Sequence, residues 1–475
     1  MSELHELSIQ ELAPLLRDGR VSPLELTDAY LARIEQLDGQ LRSYIRPMPE
    51  QARLAARAAE AEIGRGQWRG PLHGVPLGIK DLFDVAGVPN TMGSTVLADN
   101  VPSSDAAVVE RLKRAGAIIV GKHNLHEFAF GITSENPHYG PVRNPWNLDR
   151  VPGGSSGGTA AAVAAGLCAG GIGSDTGASI RAPASWCGIV GLKPTYGRVS
   201  RAGALPLAWS LDHAGPLTRT VADCALVLQA IAGADSLDSA SAAVAVPDFS
   251  ADLEAGVRGL RVGVPREHFF DTAQTVEPEI EQVVREAIAT IASLGAHIEE
   301  VSLPNAVHAQ VAGNVIMAAE AASWHAPWLR ERPGDYGADV LQRIRGGLLV
   351  RAIEYLRSQQ LRTLLQADFR AAFERVDVVV GPTMPLLAPP IGRTFERGGS
   401  FDLAPRAVAN RLTVPCNLTG TPALSVPCGF VDGLPVGLQI MGPAFGESTV
   451  LRVGRAYEAA TEWHQRRPSV AMLAA

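Results

Sequence analysis

Apolar positions recur at helical spacing through the first 65 residues. Ser8-Ile9-Gln10-Glu11 and Ser22-Pro23-Leu24-Glu25 each set a capping serine three residues before a glutamate. The second adds proline at the first helical position. Leu24, Thr27, Tyr30, Leu31 and Ile34 then share one helix face, which must pack on a body. Gln51 to Ile63 predicts a further helix, stopped near Gly64 and Gly66. Residues 1–65 therefore predict an N-terminal helical arm.

From about residue 70 the texture changes. Ala117-Ile118-Ile119-Val120 and Val376-Asp377-Val378-Val379-Val380-Gly381 are short apolar runs that end at glycine, the pattern of buried strands. Helical stretches lie between, at 106–115, 159–167 and 221–232. Strands alternating with helices predict an α/β layered sheet. The stretch 277–375 is mostly helical. Within it, Ile280, Val283, Val284, Ala287, Ile288 and Ile291 mark one face of a helix from Pro278 to Leu294. This stretch predicts an inserted helical layer or cap on a core of residues 66–475. Proline and glycine are spread rather than pooled, and no repeat or long linker interrupts the chain, which favours a single large domain.

Composition narrows the function. The 475 residues are 46 % hydrophobic and 19 % charged, ordinary for a globular chain. A net charge of −7 argues against a nucleic-acid partner, which calls for a basic stripe. No run of about 18 apolar residues occurs, so no membrane span is expected. The N-terminus lacks the basic start and apolar stretch of a secretion signal. Five scattered cysteines without a CxxC pair suit reduced core residues of a cytoplasmic protein.

Two serine-bearing loops and one lysine carry the candidate chemistry. In Gly153-Gly154-Ser155-Ser156-Gly157-Gly158, four glycines let a substrate approach two serines closely, just ahead of an alanine-rich helix with free N–H groups. A linker or a phosphate cradle is the alternative, but no Gly-Lys-Ser/Thr ending follows. In Ser174-Asp175-Thr176-Gly177-Ala178-Ser179-Ile180-Arg181, the N–H groups of Thr176, Gly177, Ala178 and Ser179 are placed to converge on an oxyanion beside the Ser179 hydroxyl. Asp175 and Arg181 flank this turn with opposite charges and suit a partly buried clamp rather than a catalytic pair. Lys80 closes the apolar run Gly74-Val75-Pro76-Leu77-Gly78-Ile79. A lysine is ordinarily exposed, whereas one at the end of a buried strand loses proton affinity and becomes a base. The residues alone leave both open. His123 and His126, three apart, match no zinc signature. No G-x-S-x-G elbow surrounds either serine, and His213 suits packing or a pocket wall.

With these residues in place, the chain resembles the amidase signature family. The resemblance lies in Gly74-Val75-Pro76 with Lys80-Asp81, Gly140 to Trp146, Pro152 to Gly158, Gly173 to Arg181 and Cys187 to Thr195. Gly420 to Pro427 and Gly433 to Gln439 extend it. It runs from about residue 25 to 465 and is weakest over 235–375. It implies a mixed multi-stranded sheet covered by helices. It also implies a Ser-Ser-Lys triad: Ser179 as nucleophile, Ser155 as bridging serine after a cis peptide bond, and Lys80 as base, with Ser156 orienting the row. Phe128, Ala129, Phe130 and Gly131 would run near the acyl site. Apart from the resemblance, Trp209 and the 305–360 helices, with Met317, Trp324 and Tyr355, are candidates to shape the pocket, with plain core packing the alternative for each aromatic. No metal or organic cofactor is expected.

Where the family usually has Gly-Gly-Ser, this chain has Gly177-Ala178-Ser179, which requires a negative φ at Ala178. Two activities fit. The favoured one is a stand-alone amidase acting on a small carboxamide, aryl amide or related substrate, with a homodimer as candidate assembly. The other is the A subunit of glutamyl-tRNA amidotransferase, which releases ammonia from glutamine. Ala178, Ala182 and the Trp209-Ser210-Leu211-Asp212-His213 stretch favour the first.

Overall fold

The computed structural model describes residues 3–270, 276–392 and 409–469. Both predicted capping boxes form, at the starts of α1 (Ile9–Arg17) and α2 (Pro23–Leu41). The third predicted helix is α3 (Pro49–Gly64). Between α2 and α3 lies β1 (Tyr44–Pro47), an edge strand that the helical pattern did not signal. Four residues are too few to display an alternation.

The body then alternates. The strands β2 (Pro76–Lys80) and β3 (Ile118–His123) flank α4 (Ala107–Arg114). A small ribbon follows, β4 (Glu135–Asn136) and β5 (Gly140–Pro141). Next come α5 (Gly157–Ala164), β6 (Gly170–Asp175), α6 (Arg181–Cys187), β7 (Val190–Lys193), β8 (His213–Thr218) and α7 (Val221–Ile231). The strands β9 (Arg261–Pro265) and β10 (His297–Val301) enclose α8 (Pro278–Ser293). A helical layer follows: α9 (Ala309–Glu331), α10 (Ala338–Gly347) and α11 (Ala352–Arg375). The described chain closes with β11 (Val378–Pro382), α12 (Val414–Thr419), the hairpin β12 (Ala423–Val431) and β13 (Leu434–Met441), and α13 (Glu447–Ala459).

Eleven strands form one mixed sheet, ordered β1-β3-β2-β6-β8-β7-β12-β13-β11-β9-β10. Helices cover it, so the fold is the α/β layered sheet that the pattern predicts. β2 is an interior strand, third from one edge, and parallel to both neighbours, with Ile79 opposite Lys122 of β3 and Ile172 of β6. Every residue of β2, β3 and β6 is buried. This is the condition under which strands run continuously apolar, and the polar residues among them require a local reason. All five cysteines are buried and unpaired. Among the described residues, no helix is long and apolar enough to cross a membrane.

Candidate active site

Three elements meet at the ends of β2 and β6. Lys80 is the last residue of β2 and has no exposed surface. The Gly153–Gly158 loop opens into α5. Its glycines are needed for space: a Cβ on Gly158 would stand 2.3 Å from the carbonyl oxygen of Asn124. The Gly154–Ser155 peptide bond is cis. The second loop leaves β6 and leads into α6, carrying Ser179. The Ser156 N–H donates to the Ser179 carbonyl at 3.2 Å and ties the two loops together.

The Lys80 Nζ faces three hydroxyls, Ser155 at 2.6 Å, Ser174 at 2.8 Å and Ser156 at 3.0 Å. The Ser156 hydroxyl donates onward to the Ser174 carbonyl at 3.1 Å. That leaves the Ser155 and Ser174 protons available to a neutral amine, and Ser155 is the closer. Among the described residues, no carboxylate lies within hydrogen-bond reach of Nζ. Burial therefore pushes the Lys80 amine well below its ordinary value, against the weaker pull of Asp175 and Asp212. Ser174 was not among the expected site residues. Its part follows from the register of β6 beside β2, which only strand pairing reveals.

Ser179 is 7 % exposed and opens onto a cavity of about 630 Å³. Its hydroxyl makes no hydrogen bond to Ser155 in this geometry. The N–H groups of Thr176, Gly177, Ala178 and Ser179 have no acceptor among the described residues. Ala178 is absent from the residues with positive φ, as its side chain requires. Asp175 and Arg181 form a wholly buried ion pair at 3.0 Å, deeper than the expected clamp. Arg181 also donates to the Thr413 carbonyl, Gln439 and Asn417. Burial alone would raise the Asp175 carboxyl. The Arg181 charge and the bonds from Arg181 and Asn417 outweigh it and hold the group below the ordinary carboxylate range.

Ala129, Phe130, Gly131, Ala178 and Met317 line the Ser179 cavity, with Asp339 and Arg343 at 3.2 Å from each other on the same wall. Phe128 does not line it. Its ring is fully buried against His325, Tyr336 and Trp324, at centroid distances of 4.4, 5.3 and 6.3 Å. Trp209 lines a smaller cavity of about 220 Å³, which shares Ala129, Thr176 and Leu207 with the first. Trp324 and Tyr355 reach neither cavity. His213 is buried on the wall of the smaller cavity, and its Nδ1 lies 2.6 Å from the Leu211 carbonyl. Among the described residues, no group of three histidine, cysteine or acidic side chains is arranged to hold a metal ion.

Fold, loops and lysine together have the form of a hydrolase of C–N bonds. The family model described as Amidase matches residues 25–451, and the chain belongs to the amidase signature family, whose members are hydrolases of C–N bonds. It is 46 % identical to the A subunit of the glutamyl-tRNA(Gln) amidotransferase of Moorella thermoacetica, over 98 % of this chain and 99 % of the relative. A solved structure described as a vestigial protein complex that reveals the origins of an s-triazine catabolic enzyme is 36 % identical. It matches with a TM-score of 0.90 over 95 % of this chain and 98 % of its own. A bacterial aryl acylamidase of the same family is 30 % identical, with a TM-score of 0.89 over 98 % of each chain.

Proposed function

We propose that the protein cleaves an amide C–N bond through an acyl-enzyme on Ser179. The observation that carries this reading is the buried Lys80 amine, surrounded by hydroxyls and, among the described residues, by no carboxylate. Neutral Nζ takes the Ser155 proton as Ser155 takes that of Ser179. The Ser179 oxygen attacks the carbonyl carbon, and the N–H groups of residues 176–179 stabilise the oxyanion. The proton returns through Ser155 to the leaving nitrogen, the C–N bond breaks, and water then hydrolyses the ester. The Ser179–Ser155 bond is the link that the resting geometry does not make. Bonds of this kind often tighten only when substrate is bound.

For the substrate, the curated relatives support the amidotransferase reading over the stand-alone amidase that the sequence favoured. In this reading the amide is that of glutamine, ammonia is released, and the chain works within a larger complex in the cytoplasm. The Asp339–Arg343 pair offers both charges an amino-acid amide would meet. A second reading, hydrolysis of aryl or alkyl amides by the chain alone, draws support from the apolar wall of Phe130, Ile132, Leu207 and Met317. The test is to incubate the purified chain with glutamine, an unbranched carboxamide and an aryl amide. Turnover of the simple amides without any partner favours the second reading. Ammonia from glutamine alone favours the first. No turnover of any amide, together with no labelling of Ser179 by a fluorophosphonate, contradicts both.

A further inference from the structure

The two cavities meet at Thr176. Ser179 opens onto the larger, and Asp212 lines the smaller. Thr176 donates its hydroxyl to Asp212 Oδ1 at 2.6 Å. The same carboxylate accepts the Leu207 N–H at 2.9 Å and the Ala208 N–H at 3.1 Å on each oxygen. Three donors thus share one ionised group. An asparagine there would turn an NH₂ toward one of them and leave that donor unpaired.

We propose that Asp212 is a positioning residue, which fixes the oxyanion loop by holding the Thr176 side chain. The inference rests on the reading of Ser179 as nucleophile beside that loop. Asp212 is a firm post because its own loop is anchored from the helical layer. Glu320 of α9 accepts the Ser210 N–H and hydroxyl at 3.0 and 2.6 Å. Tyr355 of α11 donates to the same Glu320 at 3.0 Å, and Arg362 donates to the Ser210 carbonyl at 3.2 Å. From the other side, Thr413 holds the Gly177 carbonyl at 2.6 Å. The Thr176-Gly177 peptide is therefore gripped at both ends, while its N–H groups stay without acceptors among the described residues. That is what a preorganised oxyanion donor requires, because it has to stand at about 2.7–3.1 Å from a charge that is not yet there.

The charged and titratable groups around Asp212 include Arg201, which lowers its proton affinity and is itself paired with Asp238 of the same cavity wall, Lys80 and His213. Burial outweighs Arg201 and the three hydrogen bonds and pushes the carboxyl up to about 6. As pH falls through that value the group protonates, one donor loses its acceptor, and the grip on Thr176 weakens.

The experiment measures kcat and KM for Asp212→Asn, Thr176→Val, Thr176→Ser and the double variant Asp212→Asn/Thr176→Val. The substrate is whichever of glutamine or a 4-nitroanilide the wild type turns over. Loss of a whole oxyanion donor costs about 10²–10³-fold in kcat, so loss of its tether is expected to cost roughly 10- to 100-fold, with KM nearly unchanged. The double variant is expected to be no worse than the poorer single variant. Thr176→Ser is expected to restore the rate. The part of the acid limb that Asp212 causes is expected to be lost in Asp212→Asn and in Thr176→Val alike, which leaves the limb of Lys80.

Wild-type kcat in Thr176→Val overturns the inference, even if Asp212→Asn fails to fold. So do additive losses in the double variant. Ser179→Ala, run alongside, separates the two levels. If it still turns over substrate, the underlying reading falls. If it is inactive while Thr176→Val is fully active, only the role of Asp212 falls.

Discussion

Two buried lysines on adjacent strands stand in contrasting surroundings. Lys80 of β2 and Lys122 of β3 lie one register position apart and both have no exposed surface. The Lys122 ammonium stands 2.8 Å from Asp81 and donates to the Phe83 carbonyl at 2.7 Å. Lys80 has three serine hydroxyls in contact and, among the described residues, no carboxylate. Burying a charge is costly unless a counter-ion stands beside it. On the proposed reading, the difference between strut and base lies in one neighbour. The chain has only four lysines against 38 arginines, and three of those four are wholly buried.

The largest expected effect is that of Ser179→Ala, which removes the proposed nucleophile and is expected to reduce turnover to the assay background. A normal rate in that variant breaks the comparison at its root. Next come Lys80→Met and Lys122→Met as a pair. Lys80→Met is expected to lower kcat by roughly 10²–10⁴-fold, the usual worth of a general base. Lys122→Met leaves Asp81 buried and unpaired. It is expected to lose about 3–5 kcal/mol of stability in a denaturant titration, with kcat of the folded fraction largely kept. Equal losses of rate in both variants would erase the distinction.

The pH dependence sharpens it. The folded-state pKa of Lys80 lies below its unfolded value. The unfolded chain therefore binds the extra proton in the window between the two, and this group makes stability rise with pH there. Rate is expected to climb over the same range as the neutral amine forms. Lys80→Met should flatten the stability slope and raise the melting temperature at neutral pH. A rate profile that is flat from about pH 6 to 9, with chemistry limiting, contradicts the neutral base. The smallest expected effect belongs to Ala178→Gly. It widens the Ser179 cavity by one methyl group and is expected to shift preference between acyl groups by about tenfold at most. A larger effect would mean that Ala178 also shapes the loop backbone.

The sequence discloses these regions unequally. Both capping boxes, the helix at 278–293 and the strand ending at Gly381-Pro382 follow from local patterns, because local patterns cause them. Lys80, Ser155 and Ser179 stand out because each lies in a run that a purely structural loop does not need. Asp212 and Ser174, whose roles are proposed from contacts alone, do not stand out. Their roles depend on the antiparallel pairing of β6 with β8, where Asp175 faces His213, and on the parallel pairing of β2 with β6. Strand order is a long-range property, and no window of the chain carries it. Phe128 shows the converse. It adjoins the cavity residues in sequence, yet with φ at +52° its ring turns into the aromatic cluster instead.

With four lysines in the chain, the ε-carbon resonances of a selectively labelled sample can be followed through a pH titration by NMR. One lysine signal, missing from Lys80→Met, is expected to titrate well below 10.5, apart from Lys193, which burial lowers to about 7. If the signal assigned to Lys80 instead titrates at or above about 10.4, the ordinary lysine value, the amine is charged at working pH and cannot be the base.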